Sequence, residues 1–122
     1  MSTKGIKISM WICIAVLSLQ FLAAGSGKIL GSWAGKFSDW GYPIWFMYLI
    51  GLLEIVGLAG LYHSRTRKWS AAILILIMAG AAYTHLTNQE YPRIIHNAII
   101  GGISALVLIL SNKLRALSLP KN

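Results

Sequence analysis

The sequence predicts an all-α integral membrane protein, a four-helix bundle that forms a single transmembrane domain over residues 1–122. Its composition is 57% hydrophobic and 11% charged, which lies far outside the usual mixture of soluble domains. Four apolar stretches approach the length of about 20 residues that crosses a bilayer as a helix. These stretches are continuous and do not alternate, which excludes a transmembrane barrel.

The four spans are expected at about residues 6–28, 43–62, 69–87 and 94–111, each closed by charges or turn residues. The connector HSRTRK between the second and third spans is short, so these two spans are expected to be antiparallel neighbours. The first span has some features of a signal peptide, because Lys4 and Lys7 precede an apolar run that ends in small residues. That run is longer than the apolar region of a signal peptide, and its removal would leave three spans, so we expect a retained helix.

The net charge of +8 is typical of nucleic-acid binders, but the positions of the charges favour another explanation. Three basic residues, Lys28, Lys36 and Arg93, lie on one side of the predicted membrane. The eight on the other side are Lys4, Lys7, Arg65, Arg67, Lys68, Lys113, Arg115 and Lys121. The positive-inside rule then predicts that both termini and the middle loop are cytoplasmic. We expect a lipid bilayer as the partner, and no nucleic acid.

The longest connector, GSWAGKFSDWGYP, predicts a short amphipathic helix between the first two spans. Trp33, Phe37 and Trp40 recur at the spacing of one helix face. Such a segment would lie in the membrane interface. We interpret its aromatic face as a membrane anchor in preference to a ligand contact.

Small residues predict where the spans approach one another closely, because helix association in lipid depends on packing. The third span carries four of them in succession, at positions 79–82. The glycines expected to pack between helices are Gly25, Gly51, Gly57 and Gly60.

Glu54 is the residue that most requires an explanation. It lies about ten residues into the second span, which places it about 15 Å deep, near the bilayer midplane. A charge at that depth costs about 2.5 to 3.5 kcal/mol, so such residues face the bundle interior and are functional candidates. The alternative is a neutral carboxyl group that hydrogen-bonds a neighbouring helix.

The other polar residues gather at the outer ends of the spans and outline a funnel toward Glu54. Lys28, His85 and Asn97 lie near the outer surface, whereas Gln20 approaches the depth of Glu54. Each also has a structural interpretation: Lys28 could extend to lipid headgroups, and His85 and Asn97 could simply meet water at the interface. No close pattern of metal ligands occurs, so we expect no metal site.

Three segments resemble the DoxX-like family of small bacterial membrane proteins, over roughly residues 15–90. They are FLAAGSGKIL, which contains Gly25 and Lys28; GYPIWFMYLIGLLEIVGLAGL, which contains Gly51 and Glu54; and MAGAAYTHL. The resemblance implies a four-helix bundle in the bacterial cytoplasmic membrane. It also implies a link to quinone-associated redox chemistry, through a subunit of a thiosulfate to quinone oxidoreductase.

Three functions remain open at this point. The first is a redox-associated, quinone-linked subunit or small-molecule binder, in which Lys28 and His85 meet a polar head and Glu54 takes part in proton movement. It would be an accessory subunit of a membrane oxidoreductase rather than an enzyme alone, with no covalently bound cofactor and with quinone as an exchangeable one. The second is a small proton-coupled transporter that works as a dimer, that is, as a homo-oligomer of two copies. The third is an assembly factor for other membrane proteins.

Overall fold

The computed structural model describes residues 2–119, and within that range the secondary structure is entirely helical. It contains α1 (Thr3–Ile29), α2 (Ala34–Asp39), α3 (Ile44–Leu61), α4 (Arg67–Thr87) and α5 (Tyr91–Ser118). The four long helices α1, α3, α4 and α5 are long and apolar enough to cross a membrane, which confirms the predicted all-α membrane architecture. Helices α1 and α5 extend beyond the spans expected from the sequence.

The four long helices form a closed ring around one core. Helix α1 contacts α3 and α5, and α4 contacts the same two helices. The core side of α1 presents buried residues at intervals of three or four positions, as expected of one face of a helix. These residues are Ile6, Met10, Ile14, Leu17 and Phe21. They fill the half of the bundle that contains the N-terminus of α1 and the α3–α4 turn.

The α3–α4 turn is fixed by Arg67, which has a structural role beyond its contribution to the charge asymmetry. Its side chain is buried, and Nε donates a hydrogen bond of 2.7 Å to the carbonyl oxygen of Leu61. The guanidinium also lies 5.0 Å from the centre of the Trp11 ring, at a distance typical of a cation–π contact. A hydrogen bond joins the hydroxyl groups of Ser18 and Tyr62 nearby. Polar contacts therefore hold the α3–α4 turn against α1.

Helix α2 lies between two sharp turns at the opposite end. Gly31 and Gly41 have φ angles of +86° and +85°, a region that residues with side chains rarely adopt. The two glycines reverse the chain before and after α2, and the reversal returns the segment toward the bundle.

Candidate functional site

Two glycines bring α1 and α3 into close contact. A Cβ atom on Gly51 would lie 2.8 Å from the Cβ of Lys28 and 3.0 Å from the carbonyl oxygen of Gly25. A Cβ on Gly25 would lie 2.8 Å from the side chain of Ile55. Since any larger residue would separate the helices, this contact sets the register between α1 and α3.

That register places Lys28 beside Glu54. The Lys28 Nζ lies 2.8 Å from the Glu54 Oε1, and the two side chains are 12% and 1% exposed. The contact is an ion pair, and Oε1 accepts no hydrogen bond within the described residues. The alternative in which Lys28 extends to the headgroups is therefore wrong, because its ammonium group turns inward.

The ion pair lies in the wall of a cavity of about 840 Å³ in the half of the bundle that carries α2. The polar residues that line it include Gln20, Lys28, Glu54, Thr84, His85, Arg93, His96 and Asn97. Most of the remaining lining is apolar or aromatic, and it comes from all five helices and the segments beside α2. A cavity of this kind, with a few polar groups in an apolar wall, is the usual form of a small-molecule site.

The aromatic side chains of the α2 segment face this cavity. Phe37 is buried, and its ring centre lies 5.3 Å from that of Trp40, 6.0 Å from that of Tyr42 and 6.3 Å from that of Phe46. Trp33 and Trp40 line the cavity together with Phe37. The interpretation of this aromatic face as a membrane anchor is therefore wrong, since Gly31 and Gly41 turn the segment back over the bundle.

Trp33 contacts two cations that come from different helices. The Lys28 ammonium is 5.0 Å from the centre of one Trp33 ring, and the Arg93 guanidinium is 5.9 Å from a Trp33 ring centre. Both distances fit cation–π contacts. Trp33 therefore connects the end of α1 to the start of α5.

Glu90, which is not among the residues predicted from the sequence, joins α2 to the α4–α5 connection. Its carboxylate accepts hydrogen bonds from Lys36 Nζ at 3.3 Å and from Trp40 Nε1 at 3.0 Å. His85 Nδ1 lies 2.9 Å from the same carboxylate, and the acceptor there makes Nδ1 the protonated nitrogen. These contacts lower the pKa of Glu90, with the His85 hydrogen bond as the largest cause. We call Glu90, Lys36, Trp40 and His85 the latch.

A second contact holds the α2–α3 connector to α4. The hydroxyl groups of Tyr42 and Thr84 are 2.7 Å apart, and Thr84 Oγ1 also lies 3.0 Å from the Gly80 carbonyl oxygen, to which it donates. Tyr42 is then the donor to Thr84. The latch and this bond cover one end of the cavity.

The cavity brings the predicted polar residues together, but not in equal roles. Gln20 is partly buried and lines the cavity on α1. Asn97 is buried and donates a long hydrogen bond of 3.7 Å to the Met78 sulfur. His85 lines the cavity but belongs to the latch. Within residues 2–119, no group of three His, Cys, Asp or Glu side chains could hold a metal ion.

Comparison with known proteins identifies the family. Residues 12–107 match the DoxX-like family, which is most of the chain. The chain belongs to this family. It is also 26% identical over 73 residues to an uncharacterised protein of Bacillus subtilis, YdgD, and the match covers 57% of this chain and 59% of that relative. No solved structure matches the chain.

Proposed function

We propose that this DoxX-like protein binds a quinone-type small molecule in the cavity and acts as an accessory subunit of a membrane oxidoreductase. The observation that carries the proposal is the buried Lys28–Glu54 ion pair in the wall of an otherwise largely apolar cavity. A buried ion pair contributes little net stability, because the loss of hydration offsets the attraction. Its presence beside a cavity favours a role in binding.

The donors around the cavity fit a molecule whose polar head carries hydrogen-bond acceptors. An ammonium group has three hydrogens, and Glu54 occupies one direction around Lys28 Nζ. The remaining hydrogens can meet a carbonyl oxygen in the cavity. The amides of Gln20 and Asn97 also lie in the lining and supply further donors. Glu54 keeps the ammonium in place through the 2.8 Å ion pair, and its carboxylate would take part in proton movement beside the head.

The size of the cavity is consistent with such a ligand. Its volume of about 840 Å³ is within the range of small-molecule sites, and its aromatic wall suits a flat ring. A bound quinone would supply the transfer of two electrons and two protons between partner proteins. The residues of this chain would bind and orient its head.

For its location, we propose the bacterial cytoplasmic membrane with both termini inside. The basic residues outside the spans are concentrated on the side of the termini and the α3–α4 turn, as the positive-inside rule requires. The latch and the cavity would then lie in the outer half of the membrane.

The main alternative, proton-coupled transport, needs access to Glu54 from both sides of the membrane. On the α3–α4 side of Glu54, α3 continues into the packed core through Leu58 and Leu61. This packing favours a binding site that opens on one side. The geometry offers no specific support for the assembly-factor function.

The test is a titration of the purified protein in lipid nanodiscs with decylubiquinone, with tryptophan fluorescence as the readout. Quinones quench tryptophan, and Trp33 and Trp40 line the cavity. We expect a saturable component of quenching in the wild type, and a loss of most of it in Glu54→Gln and Gln20→Leu. Asp39→Asn, a change outside the cavity lining, is the control and should bind as the wild type does. Quenching without saturation in the wild type would refute the proposal.

A further inference from the structure

Helices α3 and α4 pack tightly near their common turn. A Cβ on Gly57 would lie 3.1 Å from the side chain of Leu74, and one on Gly60 would overlap the side chain of Ser70. Gly57 and Gly60 belong to a stripe on α3 that continues at Leu53, since these positions are three or four residues apart. Close packing in this half therefore depends on the glycines of the stripe.

From Leu53 toward α2, the cavity lies between the facing sides of the two helices. The same stripe of α3 continues through Leu53, Ile50 and Phe46, and all three line the cavity. On α4, the helix face that contains Ser70 continues toward α2. The residues on this face that also line the cavity are Ile73, Ile77, Gly80 and Thr84. Faces that touch near the turn are thus separated by the cavity near α2. The Tyr42–Thr84 hydrogen bond crosses the far end of this gap.

The gap reaches the outer surface of the bundle. Leu76 and Tyr83 line the cavity, yet they are 73% and 64% exposed. Leu76 is two residues from the fully buried Leu74, which places it about 200° around the helix, away from the core. A cavity that extends to this side of α4 opens between the helices, toward the lipid.

The other borders of the cavity carry contacts. The latch joins α2 to the α4–α5 connection, and Trp33 contacts Lys28 and Arg93 where α1 meets α5. The gap between α3 and α4 is lined mostly by apolar side chains and by Gly80, and the Tyr42–Thr84 hydrogen bond crosses it only at its α2 end. We call the gap lined by Leu53, Ile73, Leu76, Gly80 and Tyr83 the portal.

We infer that the ligand of this protein has a long apolar tail that leaves the bundle through the portal, while its polar head lies at Lys28 and Glu54. The inference rests on the proposed function for the head, and it adds the tail and its route. The ligand class is a membrane-dissolved amphiphile with an acceptor head, rather than a water-soluble molecule. The walls of the portal consist mainly of apolar side chains. A hydrocarbon chain can therefore lie against them without leaving a buried polar group unpaired.

Gly80 provides the means to test the portal. A Cβ at Gly80 would meet nothing within 4 Å, so the first carbon of a larger side chain fits there without disturbing helix packing. Since Gly80 lines the cavity, that side chain would occupy the space assigned to the tail. Gly102 on α5 is a matched control, because it is also exposed, also has nothing within 4 Å of an added Cβ, and does not line the cavity.

The experiment compares Gly80→Phe with Gly102→Phe in nanodiscs, with two probes that share one head. Decylubiquinone has a ten-carbon tail, and ubiquinone-0 has none. We expect Gly80→Phe to weaken saturable binding of decylubiquinone by about tenfold, as overpacking of an occupied space does. Binding of ubiquinone-0 should stay unchanged, and Gly102→Phe should bind both probes as the wild type does.

The possible outcomes separate this inference from the proposed function. If the wild type binds neither probe saturably, the proposed function fails, and the tail route fails with it. If the wild type binds and Gly80→Phe weakens neither probe, the portal is wrong and the quinone site stands. If Gly80→Phe weakens both probes equally, Gly80 belongs to the head site, and the portal is again wrong.

Discussion

Gly51 on α3 approaches Lys28 on α1 so closely that a Cβ on Gly51 would lie 2.8 Å from the Lys28 Cβ. The same Cβ would also lie 3.0 Å from the carbonyl oxygen of Gly25, which is near the end of α1. The two contacts bring the long side chain of Lys28 within reach of Glu54. The buried ion pair is therefore a consequence of helix packing at glycine.

Gly51→Ala should destabilise the protein, because the new methyl group meets the Lys28 Cβ and a backbone oxygen, neither of which can move alone. We expect a loss of about 1–3 kcal/mol, as for other cases of overpacking. The free energy of unfolding in mixed micelles measures it. Gly102→Ala is the control: with open space around it, a helical glycine replaced by alanine should gain about 0.5–1 kcal/mol. Equal stability of the two variants would contradict the close packing at Gly51.

Glu54→Gln should destabilise the protein by about 3 kcal/mol or more, because it leaves the ammonium of Lys28 buried without its partner. The double variant Lys28→Met with Glu54→Met should recover much of this loss, since an apolar pair of similar volume carries no cost of burying charge. The double variant should nevertheless fail to bind decylubiquinone. If the free energy of unfolding of the double variant is as low as that of Glu54→Gln, the unpaired ammonium group is not the cause of the lost stability.

Glu90→Gln should loosen α2 without unfolding the bundle. The substitution removes the negative charge that accepts hydrogen bonds from Lys36 and Trp40 and meets His85. We expect several-fold faster hydrogen exchange at the amides of residues 34–39, with little change in α1 or α5. Asp39→Asn, an equal change of charge on α2 itself, should leave the exchange as it is. Unchanged exchange in Glu90→Gln would mean that the latch does not hold α2.

The latch should also depend on pH. The pKa of Glu90 lies below its ordinary value of 4.5, and the His85 hydrogen bond is the main cause. A group whose pKa is lowered in the native state contributes stability above its ordinary pKa, and that contribution is lost as the pH falls through the lowered value. Opening of residues 34–39, measured as amide exchange relative to the intrinsic rate at each pH, should therefore increase only below about pH 4.5 in the wild type. Glu90→Gln should show no such increase.

The sequence predicted the membrane spans because a bilayer demands long apolar runs, and such runs are visible without any tertiary information. It selected Glu54 for the same reason, since a carboxylate in such a run is costly. The partner of Glu54 was not predicted. From its position in the sequence, Lys28 is expected only at the end of α1. Its side chain reaches Glu54 because Gly25 and Gly51 pack closely and fix the register between α1 and α3.

Glu90 and the cavity-facing role of Trp40 were missed for a related reason. Glu90 lies in a connection, where a carboxylate normally meets water and attracts no attention. The one signal was its scarcity: with Asp39 and Glu54, it is one of three acidic residues in the chain. The aromatic spacing of α2 was read correctly as one face, but spacing cannot tell whether that face turns to lipid or to the bundle. The turns at Gly31 and Gly41 direct this face toward the bundle.

The orientation of the protein can be tested by cysteine labelling in intact cells. With Cys13 replaced by Ala, a cysteine is introduced either at Gly35 on α2, where an added Cβ meets nothing, or at Ser64 in the α3–α4 turn, which is exposed. If the basic side faces the cytoplasm, an impermeant maleimide should label Gly35→Cys in intact cells, and Ser64→Cys only after lysis. The reverse pattern would place the latch on the cytoplasmic side. Glu90 would then meet the buffered cytoplasm, and its response to acid would have no part in the function of the cavity.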